Sequence, residues 1–191
     1  MTTTTNITSK WFATDNTSGA DFTKTQTIAV TTAPELPGPS NALGDVAVGN
    51  NGSEWLFVQA STTVTANNLV AIDCNFAANN LTASLAASLK YNVGIAQFSA
   101  TLASPGDYFW AMLRSTGGAV VNNVTVGASG VALYVSSQQA GAVVSTIAAT
   151  STATATGATN ALLKNIYINS TLTGATATVD ITVQYGIVTS I

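Results

Sequence analysis

The sequence predicts an all-β protein: an antiparallel β-barrel or β-sandwich body that follows an extended N-terminal arm. Three observations carry this. Apolar residues fall in short runs rich in β-branched and aromatic side chains, such as Leu69-Val-Ala-Ile72 and Tyr108-Phe-Trp-Ala-Met-Leu-Arg114. Turn signals separate the runs at close spacing, among them Gly49-Asn-Asn-Gly52, Pro105-Gly106 and Gly117-Gly118. Helical spacing occurs once, in the leucines Leu81, Leu85 and Leu89 at i, i+4 and i+8.

Taken in order, the first 33 residues are polar and Thr-rich, with isolated apolar positions at Trp11, Phe12, Phe22 and residues 28–30. That is too little apolar surface for a core. The stretch reads either as a disordered tail or as an arm that orders on a partner, with Trp11 and Phe12 as anchors and Phe22 as a further contact. Residues 27–32 have the composition of a strand that adds to the edge of another sheet. Pro34, Pro37 and Pro39 then fall within six residues, a composition that favours extended chain. The expected division is an arm and linker over 1–43 and a β-domain over 44–191.

In the domain, residues 45–48 lead through the Gly49–Gly52 turn into a strand over residues 54–60. A polar loop around Val64 follows, then a strand over 69–73 and the short helical pattern. Residues 91–98, 108–114 and 119–121 are expected as three neighbouring strands. Alternation places Tyr108, Trp110, Met112 and Arg114 on one face of the middle run and Phe109, Ala111 and Leu113 on the other. Both faces are largely apolar, so both should be covered, and the Trp110 and Arg114 side is a candidate subunit interface. Short strands follow over 124–126, 131–135 and 142–144, with turns at 127–130 and 138–141. Residues 149–159, all Ala, Thr, Ser and Gly, read as a flexible loop. Residues 162–168 and 177–185 form a terminal hairpin across Thr173-Gly174; the second alternates as a half-buried outer strand does.

Composition narrows the functions available. Charged residues make up only 7% of the 191 residues, against about 25% in ordinary domains. The net charge is −3, and the five basic residues (Lys10, Lys24, Lys90, Arg114 and Lys164) are scattered, which argues against nucleic-acid binding. No apolar run approaches the roughly 18 residues that a membrane span needs. The N-terminus lacks the apolar core of a signal peptide, so synthesis in the cytoplasm is expected. There is no histidine, which removes Ser-His-Asp and Cys-His arrangements and the commonest metal ligand. Glu54, Asp73 and Asp107 are not paired by spacing and read as solvated carboxylates at strand ends and turns. No cofactor or metal is expected, and no catalysis. Gly127-Ala-Ser-Gly130 lacks the lysine and helix of a phosphate loop. The Asn-x-Ser/Thr sequons at Asn6, Asn16, Asn51, Asn80, Asn123 and Asn169 are what an Asn- and Thr-rich chain contains by chance. Cys74, the single cysteine, reads as a small buried hydrophobe. Trp55, Tyr108 and Trp110 read as sheet packing before a sugar-stacking platform. Arg114, the only arginine, is either an intersubunit anchor or a solvated strand end.

Several runs occur together in one order: Gly52-Ser-Glu-Trp-Leu-Phe-Val-Gln-Ala60, Asn68-Leu-Val-Ala-Ile-Asp73, Asn92-Val-Gly-Ile-Ala-Gln97 and Gly106-Asp-Tyr-Phe-Trp-Ala-Met-Leu-Arg114. Ala128-Ser-Gly-Val-Ala-Leu-Tyr-Val135 and Gly141-Ala-Val-Val144 follow. This series resembles the capsid decoration, or cement, proteins of tailed bacteriophages over residues 44–144. The resemblance implies a β-barrel or β-sandwich body, a homotrimer, and docking on the major capsid protein at the outer surface of the head. It brings no catalytic residues and fixes no capsid contacts. The candidate contacts Trp11, Phe12, Phe22, Trp110 and Arg114 are read from their chemistry alone. The alternative is another head or tail-fibre component, or a carbohydrate-binding β-sandwich.

Overall fold

The computed structural model describes residues 22, 25–27, 41–49, 52–87, 92–98, 102–115, 119–125, 133–135, 139–144, 162–168 and 178–189. These form fourteen strands and one five-residue helix, so the all-β expectation holds. Five strands close into a barrel: β3 (Glu54–Ala60), β5 (Leu69–Ile72), β6 (Ala77–Asn80), β7 (Asn92–Ala96) and β9 (Tyr108–Arg114). Around the ring β3 pairs with β9, β9 with β7, β7 with β5 and β5 with β6, all antiparallel. The ring closes where β6 runs parallel to the end of β3, Gln59 opposite Ala77 and Ala60 opposite Ala78. The antiparallel expectation fails at this closure, and again between β10 (Ala119–Thr125) and β12 (Val143–Val144). The barrel thereby leaves no free edge on these five strands at the closure.

Alternation along the strands builds two cores. Leu56, Val58 and Ala60 of β3, Val70 and Ile72 of β5, Ala78 of β6, Ala96 of β7, and Phe109 and Ala111 of β9 form one cluster. Every ring strand contributes, so this cluster is the barrel interior. Five strands enclose little volume, and the lining is correspondingly small: much of it is alanine. Gly94 fits the same constraint, since a Cβ there would lie 3.1 Å from Ile72 Cδ1 and 3.2 Å from the Ala111 Cβ. Phe98 and Phe109 meet edge to face, with centroids 5.3 Å apart. The alternate residues (Trp55, Phe57, Leu69, Ala71, Val93, Ile95, Trp110 and Met112) form the outer core with Ala119, Val121, Val135 and Val143. The barrel wall is thus covered outside as well as filled inside, which is why β9 is apolar on both faces.

The covering layer is a second set of strands: β10, β11 (Leu133–Val135), β12, β13 (Leu162–Ile168) and β14 (Thr178–Thr189). The two strands expected at the end of the chain pair, with β13 antiparallel to β14 from Leu162 opposite Thr189 to Ile168 opposite Ile181, while the expected turn at Thr173-Gly174 lies outside the described residues. Strand β10 does not neighbour β9 as the sequence suggested. It pairs with β14 and β12, while Gln184 of β14 sits opposite Arg114 and joins the two layers. Two short strands pair outside these sheets: β4 (Val64–Thr65) with β8 (Leu102–Ala103). The helix α1 (Ala83–Ala87) falls inside the leucine-spaced stretch.

Turn chemistry accounts for the connections. Asp107 N–H bonds to the Ser104 carbonyl at 3.0 Å, and Gly106 has φ 91°, as a type II turn with Pro at its second position requires. The turn enters β9 from β8. The β5–β6 turn is the surprise. Phe76, a bulky residue, holds φ 61°, where strain is ordinarily relieved with glycine. Asp73 accepts the N–H groups of Asn75 and Ala77 at 2.8 and 2.9 Å and so fixes the turn. The Phe76 ring then packs on the inner core, against Gly44, where a Cβ would approach to 2.4 Å. Cys74 sits on this turn and is exposed, which corrects the expectation of burial: the strand ends at Ile72, before it. A thiol reagent should accordingly label native protein to one equivalent, and Cys74→Ser should change stability by no more than about 0.5 kcal/mol. Labelling that appears only in denaturant would contradict this placement.

Candidate functional site

Residues 22 and 25–27 lie on the body. Phe22 is fully buried. Its ring stacks on Trp55, with centroids 4.7 Å apart and planes 4° from parallel, and meets Trp110 edge-on at 5.4 Å. Phe57 and Tyr108 extend the aromatic group, with Phe57 5.1 Å from Trp110 and 5.8 Å from Tyr108. Three residues on, β1 (Thr25–Gln26) pairs with β9, Thr25 opposite Phe109 and Gln26 opposite Tyr108. The Thr27 hydroxyl donates to Asp107 Oδ1 at 2.6 Å. An aromatic, a short ladder and a hydroxyl–carboxylate bond therefore fasten this segment across the start of β9.

Of the contacts read from sequence, Trp11 and Phe12 lie outside the described residues. Phe22 and Trp110 come together, but inside the chain's own core; Trp110 is 2% exposed. Arg114 lies at the other end of β9 and forms an ion pair with Glu54, its register partner on β3. That pair spans two strands of one chain and is partly solvated, so its contribution to stability is modest. Trp55, the indole N–H of which donates to Ser53 Oγ at 2.8 Å, is closed off completely, and Tyr108 is half-buried.

Among the described residues the carboxylates do not converge. Glu54 and Asp107 lie at opposite ends of the β3–β9 ladder, about 20 Å apart at strand rise. Asp107 is 7% exposed, not solvated as its turn position suggested. It accepts Thr27 Oγ1 on one oxygen and the Ser104 N–H at 2.7 Å on the other. Asp73 is taken up by its turn. Among the described residues no three His, Cys, Asp or Glu side chains cluster as metal ligands. No described helix is long and apolar enough to cross a membrane.

Sequence reasoning missed a cluster of amides where the two layers meet. Asn68 is 2% exposed. Its Nδ2 donates to Asn80 Oδ1 at 2.9 Å and to the Ala140 carbonyl at 3.0 Å, while Oδ1 accepts from Asn122 Nδ2 at 2.6 Å. Asn122 Nδ2 also donates to the Ala66 carbonyl, and Asn80 Nδ2 to the Thr63 carbonyl. Gln97 presents its amide to the backbone of Val120 on β10, Nε2 donating to the carbonyl and Oε1 accepting the N–H. One side chain thus does what a neighbouring strand would do. The signal was in the Asn-Asn pairs at 67–68, 79–80 and 122–123, each of which places an amide in this seam. Buried amides satisfied in this way fix one arrangement of the layers, because any shift leaves polar groups unpaired.

Comparison of the chain with protein-family models, with curated proteins and with solved structures finds no match in any of the three.

Proposed function

We propose that this chain is a structural virion protein that decorates a phage head, binding the major capsid protein at the outer surface of the shell as a homotrimer. The observation that carries the reading is a coincidence of position. Of the six runs that resemble the decoration proteins, four contain β3, β5, β7 and β9, four of the five barrel strands, and the other two contain β11 and β12 of the covering layer. The resemblance therefore lies in the body itself and not in scattered loops. The chemistry fits a role in cohesion. The barrel interior is filled with side chains, its outer wall is covered, and the described carboxylates Asp45, Glu54, Asp73 and Asp107 serve turns, a strand pair and the N-terminal segment. A surface poor in charge and rich in Thr, Ser and Asn can hydrogen-bond to several shell subunits with little repulsion. Many weak contacts of that kind add up through multivalency. In this reading the arm that engages the shell is residues 1–21, with Trp11 and Phe12 as its anchors, while Phe22 and residues 25–27 stay on the body.

The carbohydrate-binding alternative is weakened by burial, since Trp55 and Trp110 present no open ring face. The test is physical association. Purified phage heads that carry the protein are expected to retain it through sedimentation, at a copy number in proportion to the major capsid protein, with added density on the outer shell by cryo-electron microscopy. Mass spectrometry of purified heads that finds no such protein would falsify the proposal.

A further inference from the structure

Apolar exposure on the body is concentrated in one place. Among the described residues four large hydrophobic side chains are exposed, and three of them fall within one short stretch: Leu43 at 38%, Val46 at 60% and Val48 at 44%. The fourth, Leu102, stands alone on β8. Val46 and Val48 belong to β2 (Val46–Val48), the end strand of the large sheet, which among the described residues pairs with β3 alone. Ala47 lies opposite Trp55 and is buried with it in the outer core, so the two valines stand on the other face of β2. The Asp45 carbonyl and the Gly49 N–H bond to Phe57 and Ser53 on β3. At the alternate positions, the N–H and C=O groups of Val46 and Val48 are therefore turned away from β3. An edge of β-branched residues with no lysine or proline to blunt it is a surface that something covers.

The place where the described chain begins indicates the occupant. Phe22 lies in the aromatic slot of Trp55 and Trp110, and Ala47 of β2 belongs to the same cluster. The 21 residues before Phe22 are therefore tethered beside β2. Strand β2 is one interstrand step from β3, about 5 Å, whereas the chain from Phe12 to Phe22 reaches up to about 33 Å. Trp11 and Phe12 are the only aromatic residues of that stretch, and Lys10, just before them, is its only basic residue. Asp45 adjoins Val46, is exposed, accepts the Ala42 N–H on Oδ2 and has no ion-pair partner among the described residues. An aromatic pair that follows a lysine thus matches a valine pair that follows an aspartate.

We propose that Trp11 and Phe12 dock on Val46 and Val48 of their own chain, with Lys10 at the Asp45 carboxylate, so that the free protein stores its arm on the exposed face of β2. Phe22 in its slot fixes the root of the tether. A short tether holds the aromatic pair at an effective concentration in the millimolar range, where contacts too weak to join two chains suffice within one. Two aromatic side chains and a solvated ion pair hold the docked arm, contacts that a larger partner surface can replace. The inference concerns the free protein and does not depend on the capsid reading; in that reading it adds a stored state from which a shell releases the arm.

The test places a nitroxide at Ser9→Cys in the full-length chain carrying Cys74→Ser, and reads the backbone amides of residues 46–48 by nuclear magnetic resonance. Compared with the reduced label, the signals of Val46, Ala47 and Val48 are expected to lose most of their intensity. The loss should be undiminished when the isotope-labelled, nitroxide-bearing chain is diluted into an excess of chain that carries neither label. Adding Trp11→Ser and Phe12→Ser to the nitroxide-bearing chain should restore the signals. Signals that the nitroxide leaves unchanged would mean that the arm does not dock on β2. A loss abolished by dilution would place the arm on a second copy. A loss that persists without Trp11 and Phe12 would mean that these side chains do not hold it. Each of the three results overturns the proposal, while sedimentation with phage heads remains the separate test of the capsid reading.

Discussion

Replacing Trp55 by alanine is expected to lower the unfolding free energy by about 3–5 kcal/mol, among the largest effects of any single truncation in the protein. Trp55 is the largest fully buried side chain among the described residues. It stands on β3 opposite Met112, carries the Phe22 ring on its face and gives its indole N–H to Ser53. Its loss opens a cavity between the barrel wall and the N-terminal segment, and removes one plane of the slot. Chemical denaturation followed by tryptophan fluorescence and by circular dichroism reads the effect. Phe22→Ala should reproduce part of it, because it empties the same slot from the other side. A near-neutral Trp55→Ala would mean that the outer core is loosely packed there.

Gly141→Ala is expected to cost roughly 2–5 kcal/mol, from left-handed strain and overpacking together. Gly141 has φ 78°, and a Cβ there would lie 2.5 Å from Asn68 Cβ, Cγ and Nδ2. Asn68 cannot yield, because three hydrogen bonds pin its amide. Nor can the glycine move, since its N–H bonds to the Leu81 carbonyl and its carbonyl accepts the Leu69 N–H, each at 2.7 Å. Gly52 and Gly106 supply the controls. Both have positive φ, and an added methyl would meet nothing within 4 Å at either position. Gly52→Ala and Gly106→Ala should therefore show only the backbone cost of about 1–2 kcal/mol. Equal losses at all three positions would refute the steric account of Gly141.

The legible parts of the fold are those where side-chain pattern and backbone state agree. Tyr108–Arg114 alternates aromatic and aliphatic residues between two faces, and it forms β9 with each face on its own core. The strand that closes the barrel was not legible. Ala77-Ala-Asn-Asn80 has no β-branched or aromatic residue, and its strand state comes from its partners on β5 and β3. Phe76 at positive φ disguised the turn before it. At the candidate site, Trp110 and Phe22 were recognisable as residues that must meet something apolar. Burial inside one chain and contact between chains demand the same chemistry, so sequence could not separate them. The amide seam was hidden for a related reason: in a chain so rich in asparagine, structural and solvent-facing amides look alike.

The closed ring also sets a timetable. Strand β3 ends at Ala60, yet its long partner β9 is complete only at Arg114. At translation rates of about 5–20 residues per second, those 54 residues (114 − 60) take about 3–11 s to synthesise. Until then β3 carries Trp55, Leu56, Phe57 and Val58 with no ladder along most of one edge. Pairings this distant in sequence also slow folding once the chain is complete. With charged residues at only 7%, little repulsion keeps such half-built barrels apart, so the yield of refolded protein should fall steeply as chain concentration rises.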